Sequence, residues 1–486
     1  MTQVATRVAI VGSGISGLSA AHHLRGHAEV TLFEAGDYFG GHTHTVDVTL
    51  PVPATGQTAE KTQTFGVDTG FLVFNERTYP GLIALFEQLQ VTTCKSDMSF
   101  SVQVPGAFGK QALEWNGADL NTVFAQRSNL LRPSFLRMLR DVLRFNTLAT
   151  ELAERQIDHE LAQPLQDFLR MHGFGDTFRD WYLLPMLGCI WSCPTDQMLQ
   201  FPVATMVRFC HNHGLIQVNN RPQWYTVQGG ARHYVEKIVA QVDHAHLNTP
   251  VLRIERDLVG EATHGGEHSA TQGVHIHTAQ GVATFDHVIV ATHADQALRL
   301  LHAPSANEQA VLGAMRTHPN RAVLHTDTSV MPQKKLAWAA WNYERAANDN
   351  TESTRVCLHY WLNKLQPLPF AQDVIVSLNP VREIDPKHVI GEYAYAHPVF
   401  DLPAIHAQTR MHELQGQQHT WFAGAWMGYG FHEDGFKAGR AAAQGLLAAM
   451  QKTPSSVAPA HHHGTPNDPL NDPINNTINE RIKEVA

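Results

Sequence analysis

Cysteine is scarce in this chain of 486 residues, which holds only Cys94, Cys189, Cys193, Cys210 and Cys357. Five cysteines, few and odd in number, suit a reducing cytoplasm better than a disulfide framework. Cys189-x-x-x-Cys193 lacks the second pair of ligands a structural zinc would need. Long apolar runs are missing too. No window of about 18 uninterrupted apolar residues occurs, which speaks against a spanning helix. The first apolar run reads as a strand rather than as the core of a signal peptide. Positive charge is in deficit: 36 Lys and Arg stand against 45 Asp and Glu, a formal net charge of −9. That balance argues against a nucleic-acid partner. Histidine is plentiful, at 31 residues. Yet His42/His44, His211/His213 and His461-His462-His463 all lack the spacing of a known metal site, so no metal is expected.

Glycine is well supplied, and its placement is the strongest local signal. Val8–Ala21 reads VAIVGSGISGLSAA and sets Gly12, Gly14 and Gly17 in the G-x-G-x-x-G spacing. Gly12 turns the chain tightly out of a strand, Gly14 lets a pyrophosphate approach the backbone, and Gly17 lets helix and strand pack closely. A helix beginning near Ser13, with Ser13 and Ser16 in its first turn, aims free N–H groups and a positive dipole end at that pyrophosphate. A second strand, Val30-Thr31-Leu32-Phe33, ends in Glu34. A carboxylate there, about 20 residues past the glycines, accepts hydrogen bonds from a ribose.

Residues 5–75 alternate strand and helix and close on Phe65-Gly66-Val67-Asp68-Thr69-Gly70-Phe71. Residues 76–225 are richer in helical patterns, clearest over Phe124 to Leu152 and Pro164 to Phe174. Strand patterns return at Thr249–Ile254 and Val274–Ile276, and Phe285–Thr292 reads as a buried strand ending at a helix start. Arg321–His325, Leu336–Tyr343, Arg355–Trp361 and Val374–Leu378 read as further strands, and Thr420 to Met450 as strand–turn–helix. From about Thr453 the Pro/Asn/His-rich tail has no apolar periodicity and is expected to be disordered. Nucleotide-binding features thus recur at the start, middle and end of the chain. The expected fold is α/β: a discontinuous Rossmann-like domain (1–75, 226–300, 411–452) with an inserted α+β substrate domain (76–225, 301–410) and a tail (453–486).

Four segments together resemble the flavin amine oxidase and phytoene desaturase superfamily. They are Gly12–Glu34 with Gly40-Gly41-His42-Thr43; Asp68-Thr69-Gly70-Phe71; the strand around Val251; and Phe422-Ala423-Gly424-Ala425-Trp426 through Gly430-Phe431-His432-Glu433-Asp434-Gly435 to Gly439. Longer runs, including Trp338–Tyr343, Leu378-Asn379-Pro380 and His397-Pro398-Val399-Phe400, are similar to bacterial FAD-dependent oxidoreductases often encoded beside cyclopropane-fatty-acyl-phospholipid synthases. The resemblance implies FAD bound by these segments. Gly41, His42 and Thr43 would lie beside the pyrophosphate, with Thr69, Gly70 and Phe71 near the isoalloxazine. Val251 would give backbone contacts to the adenine, and Gly424 would meet the flavin and ribityl chain. Relatives often carry Arg at the position of His42, and an acidic residue where Ala425 stands; Glu433 or Asp434 would then hold the ribityl chain. No cysteine lies in 411–450, so the flavin is expected to be non-covalent. A counterpart of the family's flavin-bridging lysine is not evident; Lys334-Lys335 read as a solvated turn.

A flavin accepts a hydride, and the protein must place one C–H bond over it and exclude water. The expected activity is FAD-dependent dehydrogenation or desaturation of a hydrophobic fatty-acyl substrate. A flavin amine oxidase releasing hydrogen peroxide and a non-redox flavin- or lipid-binding partner protein stand as alternatives. The insert 176–216, with Phe178, Trp181, Tyr182, Leu183, Leu184, Met186, Ile190, Trp191 and Phe201, is either the lining of an apolar tunnel or the inserted domain's own core. Phe135, Leu136, Leu139 and Leu143 with Arg137, Arg140 and Arg144 at helical spacing suit either peripheral contact with membrane phospholipid or an ordinary solvated helix face. Tyr429 and His432 are the candidate catalytic residues, since their segment is expected to face the flavin. A cytoplasmic location is expected, with contact at the inner face of the membrane and the electron acceptor left open.

Overall fold

The runs RVAIV and HVIV become neighbouring strands, buried on both sides as parallel strands with continuous β-branched sequence are. In the computed structural model, five parallel strands form a sheet in the order His244–His246, Glu29–Phe33, Arg7–Val11, His287–Val290, Thr420–Phe422. Alternation sorts the side chains. Ala9, Val11, Phe33, Val288, Val290 and Phe422 pack into one core with Ile254, Ile276 and Phe285 of a three-stranded antiparallel sheet. Ile10 instead faces the helix Ile15–Leu24, which follows the first strand. The strands of this sheet come from the start, middle and end of the chain. The structure describes residues 5–53, 61–155, 163–192, 194–217, 221–257, 273–346 and 356–452. Cys193, the His461-His462-His463 run and the tail from residue 453 therefore lie outside the described residues.

A second, seven-stranded sheet runs Val389–Pro398, Thr317–His325, Ile375–Leu378, Cys357–Trp361, Trp341–Glu344, Phe100–Phe108, Gln111–Asn116. Its pairs are antiparallel except Trp341–Glu344 with Phe100–Phe108. Two of these strands fall where the sequence reads as helical. The alternation in Phe100–Val104 and in Gln111–Trp115 was present but short, and Pro105 and Gly106 interrupt it; Val102, Val104 and Leu113 are fully buried. The fold is thus α/β, with a Rossmann-like sheet discontinuous in sequence and an α+β insertion.

Two helix boundaries move for local reasons. The helix expected from Phe124 begins at Pro133, because a proline is tolerated in the first turn but not inside it. Arg127–Leu131 forms a separate 3₁₀ turn before it. Likewise the strand expected over Leu336–Tyr343 begins only at Trp341 and runs to Glu344, since Lys335–Ala337 is a 3₁₀ turn. Among the described residues no helix is long and apolar enough to cross a membrane.

Candidate active site

A cleft of about 940 Å³ opens at the carboxyl ends of the parallel strands and continues beneath the seven-stranded sheet. Its nucleotide end is built by the glycine triplet. Gly12 has φ +100° and donates its N–H to Phe33 O at 2.9 Å; a Cβ there would stand 2.8 Å from Ala291 O. A Cβ on Gly17 would stand 1.9 Å from Gly12 O, so helix and strand touch backbone to backbone. Gly14 differs. Its φ of −62° and ψ of 176° suit any residue, and nothing lies within 4 Å of its missing Cβ. Neither strain nor packing demands glycine at this position; open cleft space does. Gly14 is also the N-cap of Ile15–Leu24 without a side-chain cap, leaving helix N–H donors free for an anion.

Glu34 lines the same end. Its Oε2 accepts from Ser13 N at 3.0 Å and from Ser13 Oγ, while Oε1 accepts from Gly36 N at 2.9 Å. Gly40 N donates to Ser13 Oγ, which ties the Gly40-Gly41 loop to the triplet. Ser16, Gly41, His42, Thr69, Gly70, Phe71, Val251 and Gly424 all line the cleft. His42 Nε2 is buried without a hydrogen-bond partner in the ligand-free chain. Thr43 does not line it. Its hydroxyl is buried between Tyr234 OH at 2.5 Å and His432 Nε2 at 2.9 Å.

The second helix, His432–Lys452, lies against the first. A Cβ on Gly439 would be 2.0 Å from Ser16 O, so its N-terminal turn reaches the cleft beside Gly424. That turn corrects two expectations. Glu433 does not face the cleft: its carboxylate accepts from Gly81 N at 3.0 Å and Leu82 N at 2.9 Å, capping the helix Pro80–Gln88. Asp434 is likewise turned back, accepting from Phe431 N at 3.0 Å. His432 lines the cleft but is poorly suited to move protons. Burial pushes its imidazole down to about 3, and its ring stacks on Phe71 at 3.7 Å between centroids. Its Nε2 is engaged by the Thr43 and Tyr234 hydroxyls. It positions Phe71. Tyr429 also lines the cleft, with its carbonyl accepting from Trp191 Nε1 at 3.2 Å and its phenol pushed up by burial.

Beyond these residues the cleft turns apolar, walled by Ile190, Trp191, Phe209, Trp341, Tyr360 and Phe400. Of the nine side chains singled out in the 176–216 insert, Ile190 and Trp191 reach it, and Cys189, Ser192, Phe209, His213 and Leu215 of the same insert line it as well. Phe178, Leu183 and Phe201 are fully buried, with Tyr182, Leu184 and Met186 close behind, and Trp181 packs on Phe108. That part of the insertion is core. Phe209, Tyr360 and His293 line the cleft without a local motif to announce them, because they come from a helix face, a strand face and a helix cap. Of all the lining residues only Glu34 and Arg299 carry a formal charge, and Arg299 pairs with Asp295 at 2.8 Å.

The residues present fit FAD: an uncapped helix N-terminus over a glycine with a free face, a placed carboxylate, and an elongated cleft joining a polar and an apolar end. A separate buried trio, Glu344, Cys357 and His359, lies on the far side of the seven-stranded sheet. Glu344 there also holds Arg382 Nε at 2.8 Å and Gln103 Nε2 at 3.1 Å.

The family model of flavin containing amine oxidoreductases matches residues 15–447. No curated protein matches the chain by sequence. Among solved structures, cyclohexylamine oxidase from Brevibacterium oxydans IH-35A is similar at a TM-score of 0.63 and 15% identity, covering 92% of this chain and 100% of that one. A CLA-producing fatty acid isomerase from P. acnes is similar at 0.58 and 15%, over 92% and 99%. Putrescine oxidase is similar at 0.60 and 15%, over 91% and 99%. Matched by the family model over most of its length, with a cleft built for the dinucleotide, the chain belongs to the flavin containing amine oxidoreductases and is an FAD-dependent oxidoreductase.

Proposed function

We propose that the protein dehydrogenates or desaturates a hydrophobic, fatty-acyl-type substrate. The observation that carries this reading is the charge distribution of the cleft. Of its two formally charged lining residues, Glu34 directly follows the sheet strand Glu29–Phe33 and Arg299 lies in the helix Ala294–Leu300 paired with Asp295, while the far end is walled by aromatic and aliphatic side chains. An ammonium substrate held there would lack a carboxylate partner and would lose its hydration uncompensated. An acyl chain would give up only hydration water, whose release is favourable. Bound FAD supplies two-electron acceptance from a substrate C–H bond. The chain's own residues do the rest: Trp191, Phe209 and Trp341 exclude water and align the substrate, His432 holds Phe71, and Tyr429 offers a hydroxyl-bearing side chain to the cleft. The fatty acid isomerase, similar in fold, acts on fatty acids, whereas the two oxidases act on amines.

The test is the visible spectrum of the FAD-loaded protein under anaerobic addition of total membrane phospholipid. Bleaching of the oxidised-flavin bands is expected. An unchanged spectrum with phospholipid, together with bleaching and peroxide release on adding amines, would replace this reading with amine oxidation. Altered double bonds without net bleaching would make the protein an isomerase.

A further inference from the structure

We propose that residues 120–147 form a docking surface for an anionic lipid bilayer. Among the described residues, large side chains left exposed concentrate here: Leu131 is 87% exposed, Leu120 79%, Leu143 59%, Leu130 50% and Leu136 43%. Isolated exposed leucines are ordinary, but five within one short segment make a patch. They are not core residues out of place. The helix Pro133–Arg155 already buries Phe135, Met138, Phe145, Ala149 and Leu152 on its inner face. Leu136, Arg140 and Leu143 follow one another at helical spacing on the opposite face, and Leu130 and Leu131 lead into it.

Charge decides the occupant. The segment holds Arg127, Arg132, Arg137, Arg140 and Arg144 against one acidic residue, Asp141, in a chain whose overall charge is −9. Only Asp141 offsets that charge, through Arg140 at 3.2 Å and Arg144 at 3.9 Å. The other contacts are neutral. Arg132 lies 3.6 Å over Phe108, Arg144 lies 4.1 Å over Phe174, and Arg127 donates to the Asn121 and Phe124 carbonyls. Arg137 has no hydrogen bond or ion pair among the described residues and is exposed. Leucines flanked by guanidinium groups on long stems suit the boundary between acyl chains and anionic headgroups. The same helix packs on Val203–Asn212, whose Phe209 lines the apolar end of the cleft. The surface is one helix from the pocket, yet its lipid binding does not depend on what the pocket accepts.

The experiment is co-sedimentation of the full-length, FAD-loaded protein with vesicles of phosphatidylglycerol or of phosphatidylcholine, at low and high salt. Binding to phosphatidylglycerol that weakens with salt, and little binding to phosphatidylcholine, is expected. The double variant Leu131→Ser/Leu143→Ser and the charge reversal Arg137→Glu should each lower partitioning about tenfold, with flavin spectrum and melting temperature unchanged. Absence of wild-type binding to phosphatidylglycerol overturns the proposal, as does equal binding by folded variants. A wild-type dimer that the leucine variant dissociates would reassign the patch to a second copy of this chain. If neither variant folds, the wild-type comparison of lipid and salt decides.

Discussion

Three glycines in one motif have three different physical reasons, and they make separable predictions. Gly17 is required by the fold, since its Cβ would overlap Gly12 O, so Gly17→Ala should destabilise the apoprotein by about 1–3 kcal/mol. Gly14 is required by neither packing nor backbone conformation. Gly14→Val should therefore leave the apoprotein's melting temperature unchanged while weakening FAD binding at least about tenfold, roughly 1.4 kcal/mol. A titration of flavin fluorescence beside a thermal melt measures both. Equal loss of affinity and stability in the two variants would show that the triplet serves only the fold. The G-x-G-x-x-G spacing already named these roles; what it could not show is the neighbour of Gly12, whose missing Cβ faces Ala291, brought in from the middle of the chain.

At the scale of elements, the N-terminal turn of His432–Lys452 shows how a correct segment can carry a residue facing the other way. Glu433 lies next to the cleft in sequence, yet helical rotation points its carboxylate at the open N–H groups of Pro80–Gln88. Glu433→Gln should cost about 1–2 kcal/mol of stability, because one backbone donor loses its anionic acceptor. FAD affinity should stay within about twofold. A large loss of affinity with no change in melting would return Glu433 to the cofactor. Strand register was harder to read than helix position. Phe100–Phe108 and Gln111–Asn116 pair with each other, and the first also pairs with Trp341–Glu344, more than two hundred residues on in sequence. Their short alternation became decisive only with that partner in place.

For the molecule as a whole, burial sets the response to pH. His213, His325 and His397 are pushed down to about 4, and His432 to about 3, chiefly by burial. Such groups bind fewer protons folded than unfolded, so the stability they contribute is present above about 6.5 and is lost as pH falls through their folded values. Asp68, raised to about 7, and Asp434, raised to about 6, again by burial, act with the opposite sign over part of that range. Four histidines outweigh two carboxyls. His359 is also desolvated, but contacts with Cys357 and Glu344 raise it to about 9, so its contribution fades as pH rises toward and past that value. The apoprotein's melting temperature should climb from pH 4 to about 6.5 and decline again toward pH 9. A maximum at pH 4 in calorimetry would contradict this. The same division explains what each level of description decides. The nucleotide end is local: Gly12 to Glu34 is one strand–helix–strand unit, and steric and dipolar rules acting over a few residues make it legible in sequence. The apolar end is not. Ile190, Phe209, Trp341, Tyr360 and Phe400 converge from a dispersed helix–sheet insertion, and an aromatic residue at any of those positions packs as readily into core as against a substrate. Only the tertiary structure chose which of them face open space, because that depends on which side of each helix and strand the rest of the chain had already covered.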